Sequence, residues 1–235
     1  MPSFAARNRR PEIMDQPDLD AARFIGSLAG LRRVNLVTGS SRILWPHIRA
    51  WAQTHHKRPI RILDIACGAG DMLVRLDRRS RREGIFLELH GCDIKSLAID
   101  YAREQTKSAG ASAEFFTLDA TRDPIPPEFD MIVSSLFLHH LDEEQAVKFL
   151  RNASSATNGL LLIHDLVRSQ AGYLLASLGI RALLCNDVCR ADGPISVESA
   201  FTLHEARELA AKAGLEGATV EPRFPFRLLM HWEKS

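Results

Sequence analysis

The stretch that decides the fold is Ile62-Leu63-Asp64-Ile65-Ala66-Cys67-Gly68-Ala69-Gly70-Asp71. An apolar run of strand length ends in a Gly-x-Gly turn, and a helical pattern follows from Asp71 to Arg82. Glycines at such a turn let the backbone approach a ligand, and the N-terminus of the next helix offers free N–H groups. The segment therefore predicts the ligand-binding turn of an open parallel sheet.

Strand and helix patterns alternate along the chain after this turn. Further apolar runs of strand length follow in order: Phe86 to Cys92, Glu114 to Leu118, Met131 to Leu136 and Leu160 to His164. Strands separated by helices imply a parallel sheet with right-handed crossovers. The last two runs, 218–224 and 226–232, are separated by Pro225 alone, so one of them must be antiparallel. We therefore expect an α/β fold with a seven-stranded, mostly parallel, doubly wound sheet and an antiparallel last strand.

Helical patterns flank this sheet. Asp20 is placed to cap a helix that runs to about Thr38, and a second amphipathic helix follows Gly39. We expect residues 1–55 to form an extended arm and lid helices, and residues 56–235 to form the ligand-binding domain, the two acting as one domain. Within the latter, residues 166–201 are long for a connection and predict a helical lid. Its apolar helix would present Tyr173, Leu174, Leu178, Leu183 and Leu184.

Composition and charge exclude several classes of protein. Of 235 residues, 46% are hydrophobic and 25% charged, and 30 basic against 29 acidic side chains leave a net charge of +1. Such a balance does not favour general nucleic-acid binding. Neither a signal peptide nor a transmembrane segment is predicted. The cysteines, Cys67, Cys92, Cys185 and Cys189, are expected as reduced core thiols of a cytoplasmic protein, and no metal site is predicted.

The glycine turn itself discriminates between ligands. A dinucleotide-binding fingerprint requires a third glycine where this chain has Leu73, so a nicotinamide-dependent reductase is disfavoured. The acidic Asp64 lies four residues before Gly68, at the strand end, where it can meet a cationic amine. The pattern thus favours a ligand that carries an ammonium group.

Four motifs now resemble those of the class I S-adenosylmethionine (SAM)-dependent methyltransferases. The first, Asp64-x-x-x-Gly68-x-Gly70, is similar to motif I of that family. Gly91-Cys92-Asp93 and Leu118-Asp119-Ala120 follow at the ends of the next two strands. The fourth, Phe129 to His140, is similar to the "FDxVxxxxxLHH" run of the small-molecule branch. The resemblance covers about residues 44–232.

This resemblance implies SAM as cofactor and S-adenosylhomocysteine as product. In the family, the carboxylate at Asp93 accepts the ribose hydroxyls and that at Asp119 meets the adenine amino group. The full set of cofactor-binding residues that it implies is Asp64, Ala66, Gly68, Gly70, Asp93, Ile94, Asp119, Ala120 and Ser135. For the three aspartates, a local role in capping or turn formation is the alternative.

The resemblance also suggests an acceptor. The glycine-turn segment is similar to those of ubiquinone and menaquinone biosynthesis methyltransferases. Pro11 to Asp15 and Asp192 to Val197 resemble segments of methyltransferases that act on phenolic polyketides. With an apolar lid, this implies a small hydrophobic acceptor methylated at oxygen in secondary metabolism. Arg168, Arg181 and Arg190 are candidates to meet an acidic group of the acceptor, or are solvated surface residues.

An oxygen nucleophile must lose its proton, and histidine is the usual base at neutral pH. The candidate catalytic residues are His139, His140 and His164, each of which has a structural role or a place in the cofactor wall as its alternative.

Two other functions remain open. The run Arg78 to Arg82 suggests an RNA methyltransferase as an alternative. Nucleic acid is not the expected partner, because this run ends a helix, where positive charge complements the helix dipole. A SAM-binding module without catalysis is the second, and assembly into oligomers is compatible with the sequence.

Overall fold

The computed structural model describes residues 4–55, 58–182 and 186–234, and for residues 180–182 the backbone alone. Two helices precede the sheet: α1 (Ala21–Thr38) and α2 (Ser40–Thr54). Asp20 accepts a hydrogen bond from the Arg23 N–H at 3.0 Å, which confirms the predicted cap of α1. Gly39 adopts a φ of 75°, in the left-handed region that favours glycine, and this residue separates the two helices.

Seven strands form one sheet in the order β3-β2-β1-β4-β5-β7-β6. Their bounds are β1 (Ile60–Ile65), β2 (Leu87–Asp93), β3 (Glu114–Thr117), β4 (Phe129–Ser135), β5 (Thr157–Leu166), β6 (Thr219–Arg223) and β7 (Arg227–Glu233). The first five strands pair in parallel, and β7 is inserted antiparallel between β5 and β6. The predicted fold class is confirmed, including the antiparallel last strand.

Helices cover both faces of the sheet: α3 (Asp71–Glu83), α4 (Ser96–Ser108), α5 (Glu143–Ala156) and α8 (Leu203–Lys212). Alternate residues of a strand point to opposite faces, so Leu63 and Ile65 pack with α5 and α8 whereas Ile62 packs with α2, α3 and α4. Both sets are almost completely buried. This two-sided core is what makes the strands continuous apolar runs in the sequence.

The segment after β5 contains two helices rather than the single apolar helix that was predicted. They are α6 (Gln170–Ala182) and α7 (Asp187–Ser199), which pack on each other, and α7 also packs on α1. Tyr173, Leu174 and Leu178 lie on α6 as expected, with Leu178 67% exposed. Leu183, Leu184 and Cys185 lie outside the described residues. The second helix was missed because Gly193 and Pro194 interrupt its pattern; the N-cap Asn186, which accepts from the Cys189 N–H, begins it.

Two other predictions concern single residues and segments. Cys67 and Cys92 are buried free thiols, as expected, and Cys189 is also buried. Over the described ranges, none of the helices combines the length and the apolar character that crossing a bilayer requires.

Candidate active site

A cavity of about 780 Å³ lies at the carboxyl edge of the sheet, where β1, β2 and β4 end. The segment before α1, called the arm here (residues 4–20), covers it together with α1, α6 and α7. Most of the lining is apolar, including Phe24, Leu28, Leu31, Leu175, Val197 and Phe226. Parallel sheets bind ligands at this edge, because the strand ends and helix N-termini converge there.

The glycine turn between β1 and α3 forms one end of the cavity. Ala66, Gly68 and Gly70 have positive φ values of 57°, 51° and 68°. A Cβ atom at Gly70 would lie 3.0 Å from the Phe115 ring, so glycine is required there by packing as well as by conformation. Ala66 and Gly68 line the cavity, whereas Gly70 shapes the turn from behind.

Asp64 lies at the end of β1 with its side chain facing this turn. It is 2% exposed, and among the described residues its Oδ1 atom has no hydrogen-bond partner. Burial raises the pKa of Asp64 well above its usual value, and the carboxylates of Asp71 and Asp93 raise it further. A buried carboxylate in this setting is stabilised by a cationic group of a ligand, since burying an unpaired charge is costly.

Asp93 follows at the end of β2. Its Oδ2 atom accepts the Gly68 N–H at 3.1 Å and its Oδ1 atom accepts the Lys95 N–H at 3.0 Å. Lys95 in turn donates its ammonium to the Met14 carbonyl at 2.5 Å, which ties the arm to this wall. Asp93 and the exposed Ile94 therefore line the cavity beside the glycine turn, and their predicted contact with the cofactor stays a prediction.

Asp119 and Ala120 do not line the cavity. The Asp119 carboxylate accepts hydrogen bonds from the hydroxyl and the N–H of Thr121, at 2.6 and 3.0 Å, and lies 3.6 Å from the Arg122 guanidinium. This is the turn-forming role that the sequence left open, and the predicted contact of Asp119 with adenine stays a prediction.

His139 lies in a 3-10 turn after β4 and is buried in the cavity wall. Its ring Nδ1 atom is 2.7 Å from Asp165 Oδ1, and its main-chain N–H donates to Asp165 Oδ2 at 3.0 Å. The ring Nε2 atom is 3.5 Å from Glu12 Oε1. Burial alone lowers the pKa of His139, but the carboxylates of Asp165 and Glu12 outweigh it and raise that pKa to about 10.

His140, the next residue, is half-buried and also lines the cavity. Its Nδ1 atom lies 2.9 Å from Asp15 Oδ2, and its Nε2 atom lies 4.0 Å from Glu12 Oε2. Both histidine rings thus point one nitrogen at a supporting carboxylate and the other at Glu12.

His164, near the end of β5, is fully buried behind the cavity wall. Its Nδ1 atom lies 3.0 Å from the hydroxyl of Ser135, which itself lines the cavity, and its Nε2 atom has no partner in the described part of the chain. Burial and the neighbouring Arg227 lower the pKa of His164 to about 3. His164 does not line the cavity, and its predicted role as the base stays a prediction.

Glu12 and Asp15 were not recognised in the sequence as site residues. The arm is held in place by Asp192 of α7, whose carboxylate accepts the N–H groups of Ile13 at 2.7 Å and Met14 at 3.0 Å. The Ser196 hydroxyl donates to Glu12 Oε1 at 2.6 Å. The sequence analysis identified the segments around residues 12 and 192 separately. No sequence pattern predicted that they contact each other.

Arg227, at the start of β7, is a second residue that the sequence analysis missed. It lines the cavity while only 5% exposed, and its Nε and Nη1 atoms have no partner among the described residues. Burial lowers the pKa of Arg227 to about 10, with Asp165 partly offsetting the effect. Among the predicted arginines, Arg168 instead pairs with Glu205 at 2.6 Å, Arg190 is exposed on α7, and the side chain of Arg181 lies outside the described atoms.

Fold, glycine turn and strand-end carboxylates together define a class of protein. Residues 62–158 match the family described as "Methyltransferase domain", and this match confirms the resemblance to the class I SAM-dependent methyltransferases. The magnesium protoporphyrin IX methyltransferase of Synechocystis PCC 6803, with bound S-adenosylhomocysteine, superposes with a TM-score of 0.54 at 14% identity. That alignment covers 95% of this chain and 91% of the other, which shows a shared fold.

Two curated relatives are similar in sequence. A tRNA N(3)-methylcytidine methyltransferase of Drosophila melanogaster is 30% identical over 169 residues, which are 68% of this chain and 50% of that protein. A 3-hydroxy-5-methyl-1-naphthoate 3-O-methyltransferase of Streptomyces sahachiroi is 32% identical over 111 residues, 46% of this chain and 31% of that protein. The chain therefore spans half or less of the length of these relatives.

Proposed function

We propose that this protein transfers a methyl group from SAM to an oxygen of a small hydrophobic acceptor of the phenolic, polyketide or quinone-like type. The observation that carries the proposal is that a single cavity joins the buried carboxylate of Asp64, whose Oδ1 atom has no hydrogen-bond partner among the described residues, to a compartment lined by apolar side chains. One end suits a cationic cofactor and the other an uncharged ring system.

The residues at the cofactor end fit SAM. Asp64 offers a carboxylate to an ammonium group, the glycine turn offers close approach of the backbone, and Asp93 lines the same wall. A hydrogen bond to a charged group contributes about 1.5–3 kcal/mol. When bound, SAM supplies an electrophilic methyl group on a sulfonium.

The acceptor end combines apolar walls with one buried cation. Arg227 lines the cavity, and its buried Nε and Nη1 atoms have no hydrogen-bond partner among the described residues, so the acceptor that fits best carries a carboxylate or another oxyanion beside its ring. The naphthoate that one relative acts on is an aromatic acid, which supports this choice.

The polar residues of the cavity wall activate the acceptor oxygen. Glu12, Asp15, His139 and His140 form one cluster there, and His140 is its more exposed histidine. Chain residues must also exclude water and align the nucleophile with the methyl group. The arm and α7, held together through Asp192, provide that cover.

Calorimetry and turnover test the proposal. The chain is titrated with SAM and with S-adenosylhomocysteine, and then assayed with a panel of hydroxylated aromatic acids, phenols and quinols. We expect binding of both cofactor forms and methylation of at least one aromatic acid. Absence of binding at millimolar cofactor would remove the proposal; binding without any turnover across the panel would favour a non-catalytic SAM-binding module.

RNA methylation is the second candidate, favoured by the similarity to a tRNA methyltransferase. Its sequence signal, Arg78 to Arg82, lies in the last turns of α3, about 12–18 Å along the helix from the glycine turn. Arg79 donates to the Ser41 carbonyl at 3.2 Å, and Arg81 pairs with Asp77 at 2.9 Å. A methyl-acceptor assay with total tRNA distinguishes the candidates: we expect incorporation at background.

A further inference from the structure

We propose that Glu12, His139 and His140 bind a divalent transition-metal ion in the wall of the cavity. The inference deepens the proposed function and rests on it only for what the ion does to an acceptor; binding of the ion itself stands on the geometry of the three side chains.

The three side chains converge. One potential ligand atom from each lies within 4.8 Å of the other two, and the nitrogen–oxygen separations are 3.5 Å, from His139 Nε2 to Glu12, and 4.0 Å, from His140 Nε2 to Glu12. A tetrahedral zinc ion with bonds of about 2.0–2.1 Å holds its ligand atoms about 3.3 Å apart. Small side-chain movements therefore bring all three atoms to bonding distance.

The outer contacts are those that orient metal ligands. Histidines that bind a metal through one nitrogen commonly donate the other N–H to a carboxylate. Here Asp165 holds Nδ1 of His139 at 2.7 Å and Asp15 holds Nδ1 of His140 at 2.9 Å, so both Nε2 atoms are aimed at Glu12. The Ser196 hydroxyl fixes the Glu12 carboxylate at 2.6 Å.

The charge around the cluster favours a cation. Four carboxylates gather there, those of Glu12, Asp15, Asp165 and Asp192. The arm also brings two arginines, but these donate to main-chain carbonyls: Arg7 to that of His139 at 2.8 Å and Arg9 to that of His140 at 2.9 Å. A bound ion would replace the present contact of His139 Nε2 with Glu12.

Two histidines and one carboxylate leave open positions on the ion. This ligand set occurs in catalytic zinc sites and in iron oxygenases, where the open positions take substrate or water. All three residues line the cavity, so an acceptor hydroxyl can reach the ion from the apolar compartment. The bound oxygen then loses its proton to water more readily and is held in place for methylation.

The test measures metal binding by the whole chain, without a purification tag. Protein stripped with a chelator is titrated with Zn²⁺, and with Co²⁺ as a spectroscopic probe; metal per chain is measured by mass spectrometry. We expect one ion per chain and at least tenfold weaker binding in Glu12→Gln and His140→Ala, with a smaller loss in Asp15→Asn.

His90→Asn is the matched control. His90 is also a buried histidine between two glutamates, 3.5 Å from Glu88 and 3.6 Å from Glu114, but it lies away from the cavity. This variant is expected to bind Zn²⁺ as the parent does. The inference is overturned if the parent binds no Zn²⁺ at micromolar concentration, or if Glu12→Gln and His140→Ala bind it as tightly as the parent.

Circular dichroism and SAM calorimetry on the same samples separate the possible failures. His140 is half-buried, so His140→Ala is expected to keep the fold even if Glu12→Gln loosens the arm. A chain that binds Zn²⁺ through these residues but does not bind SAM contradicts the proposed function alone. A chain that binds SAM and methylates an acceptor, yet binds no Zn²⁺, contradicts the metal site alone.

Discussion

Asp64 is a residue whose presence is explained by a ligand rather than by the stability of the fold. Its carboxylate is buried at the end of β1 beside two other carboxylates and contributes nothing to the core. The protein tolerates this cost because a cationic group of the cofactor is expected to offset it. The pattern Asp-x-x-x-Gly-x-Gly was sufficient to predict this position, since the strand and the turn are local.

The first prediction concerns the pH dependence of stability. Because the pKa of Asp64 is raised in the folded protein, the folded state holds a proton that the unfolded state releases above about pH 4. The free energy of unfolding, measured without cofactor by denaturant titration, should therefore fall as pH rises from about 4 toward the folded-state pKa. In Asp64→Asn, the part of this decrease in the free energy of unfolding that comes from Asp64 should be absent. The variant should also bind SAM roughly 10- to 150-fold more weakly.

Asp100→Asn is the control for this measurement, because Asp100 is exposed on α4. Its pH profile and SAM affinity should match those of the parent. An Asp64→Asn variant with an unchanged pH profile would contradict the assignment.

The second prediction concerns Arg227 and acidic acceptors. If its guanidinium pairs with the acceptor, Arg227→Gln should raise KM for an aromatic acid about tenfold or more and leave the SAM dissociation constant unchanged. Arg190→Gln, on the exposed face of α7, serves as the control. Equal losses for acidic and uncharged acceptors would instead indicate a general defect in packing.

At the scale of elements, the sequence predicted what depends on neighbours along the chain. The capping boxes Asp142 with Gln145 and Thr202 with Glu205 are both present and begin α5 and α8. The cover of the site depends on contacts between distant segments, such as Glu12 with Ser196, and no periodicity or cap encodes those. Hence the glycine-turn end of the cavity was predicted from the sequence, apart from Asp119 and Ala120, whereas the contact between the arm and α7 was not.

The third prediction concerns the contact between the arm and α7. Asp192→Ala removes the acceptor for two main-chain N–H groups, so the arm should open at least tenfold more often. Hydrogen exchange at Ile13 and Met14 reports this directly. Asp187→Ala, which removes an exposed ion pair at the start of the same helix, should leave the exchange unchanged. Unaltered exchange in Asp192→Ala would show that the arm is held elsewhere.

For the whole molecule, the site joins parts of the chain that the sheet alone does not hold together. The cavity is lined from the arm, α1, the strand ends, α6, α7 and β7. A ligand that binds there stabilises all of them in the folded state. The near-zero net charge agrees with an acceptor that is mostly apolar and needs little electrostatic steering.

The fourth prediction follows from this linkage. At 100 times its dissociation constant, SAM should add about 2.7 kcal/mol to the free energy of unfolding and raise Tm by about 5–10 °C. Differential scanning calorimetry checks this, with Asp64→Asn showing a much smaller shift at the same concentration. A parent protein whose Tm does not respond to SAM would contradict cofactor binding at this site.

The arm affects the order in which the parts of the cavity assemble in a newly made chain. The contact of Gly68 with Asp93 at the glycine turn joins residues 25 apart, whereas the contact of Asn8 in the arm with Glu198 in α7 joins residues 190 apart. Contacts between distant segments form late, because their loop-closure entropy must be overcome first. During synthesis, the glycine-turn end of the cavity can thus assemble while the C-terminal third is still being made, and the arm can contact α7 only after α7 has emerged.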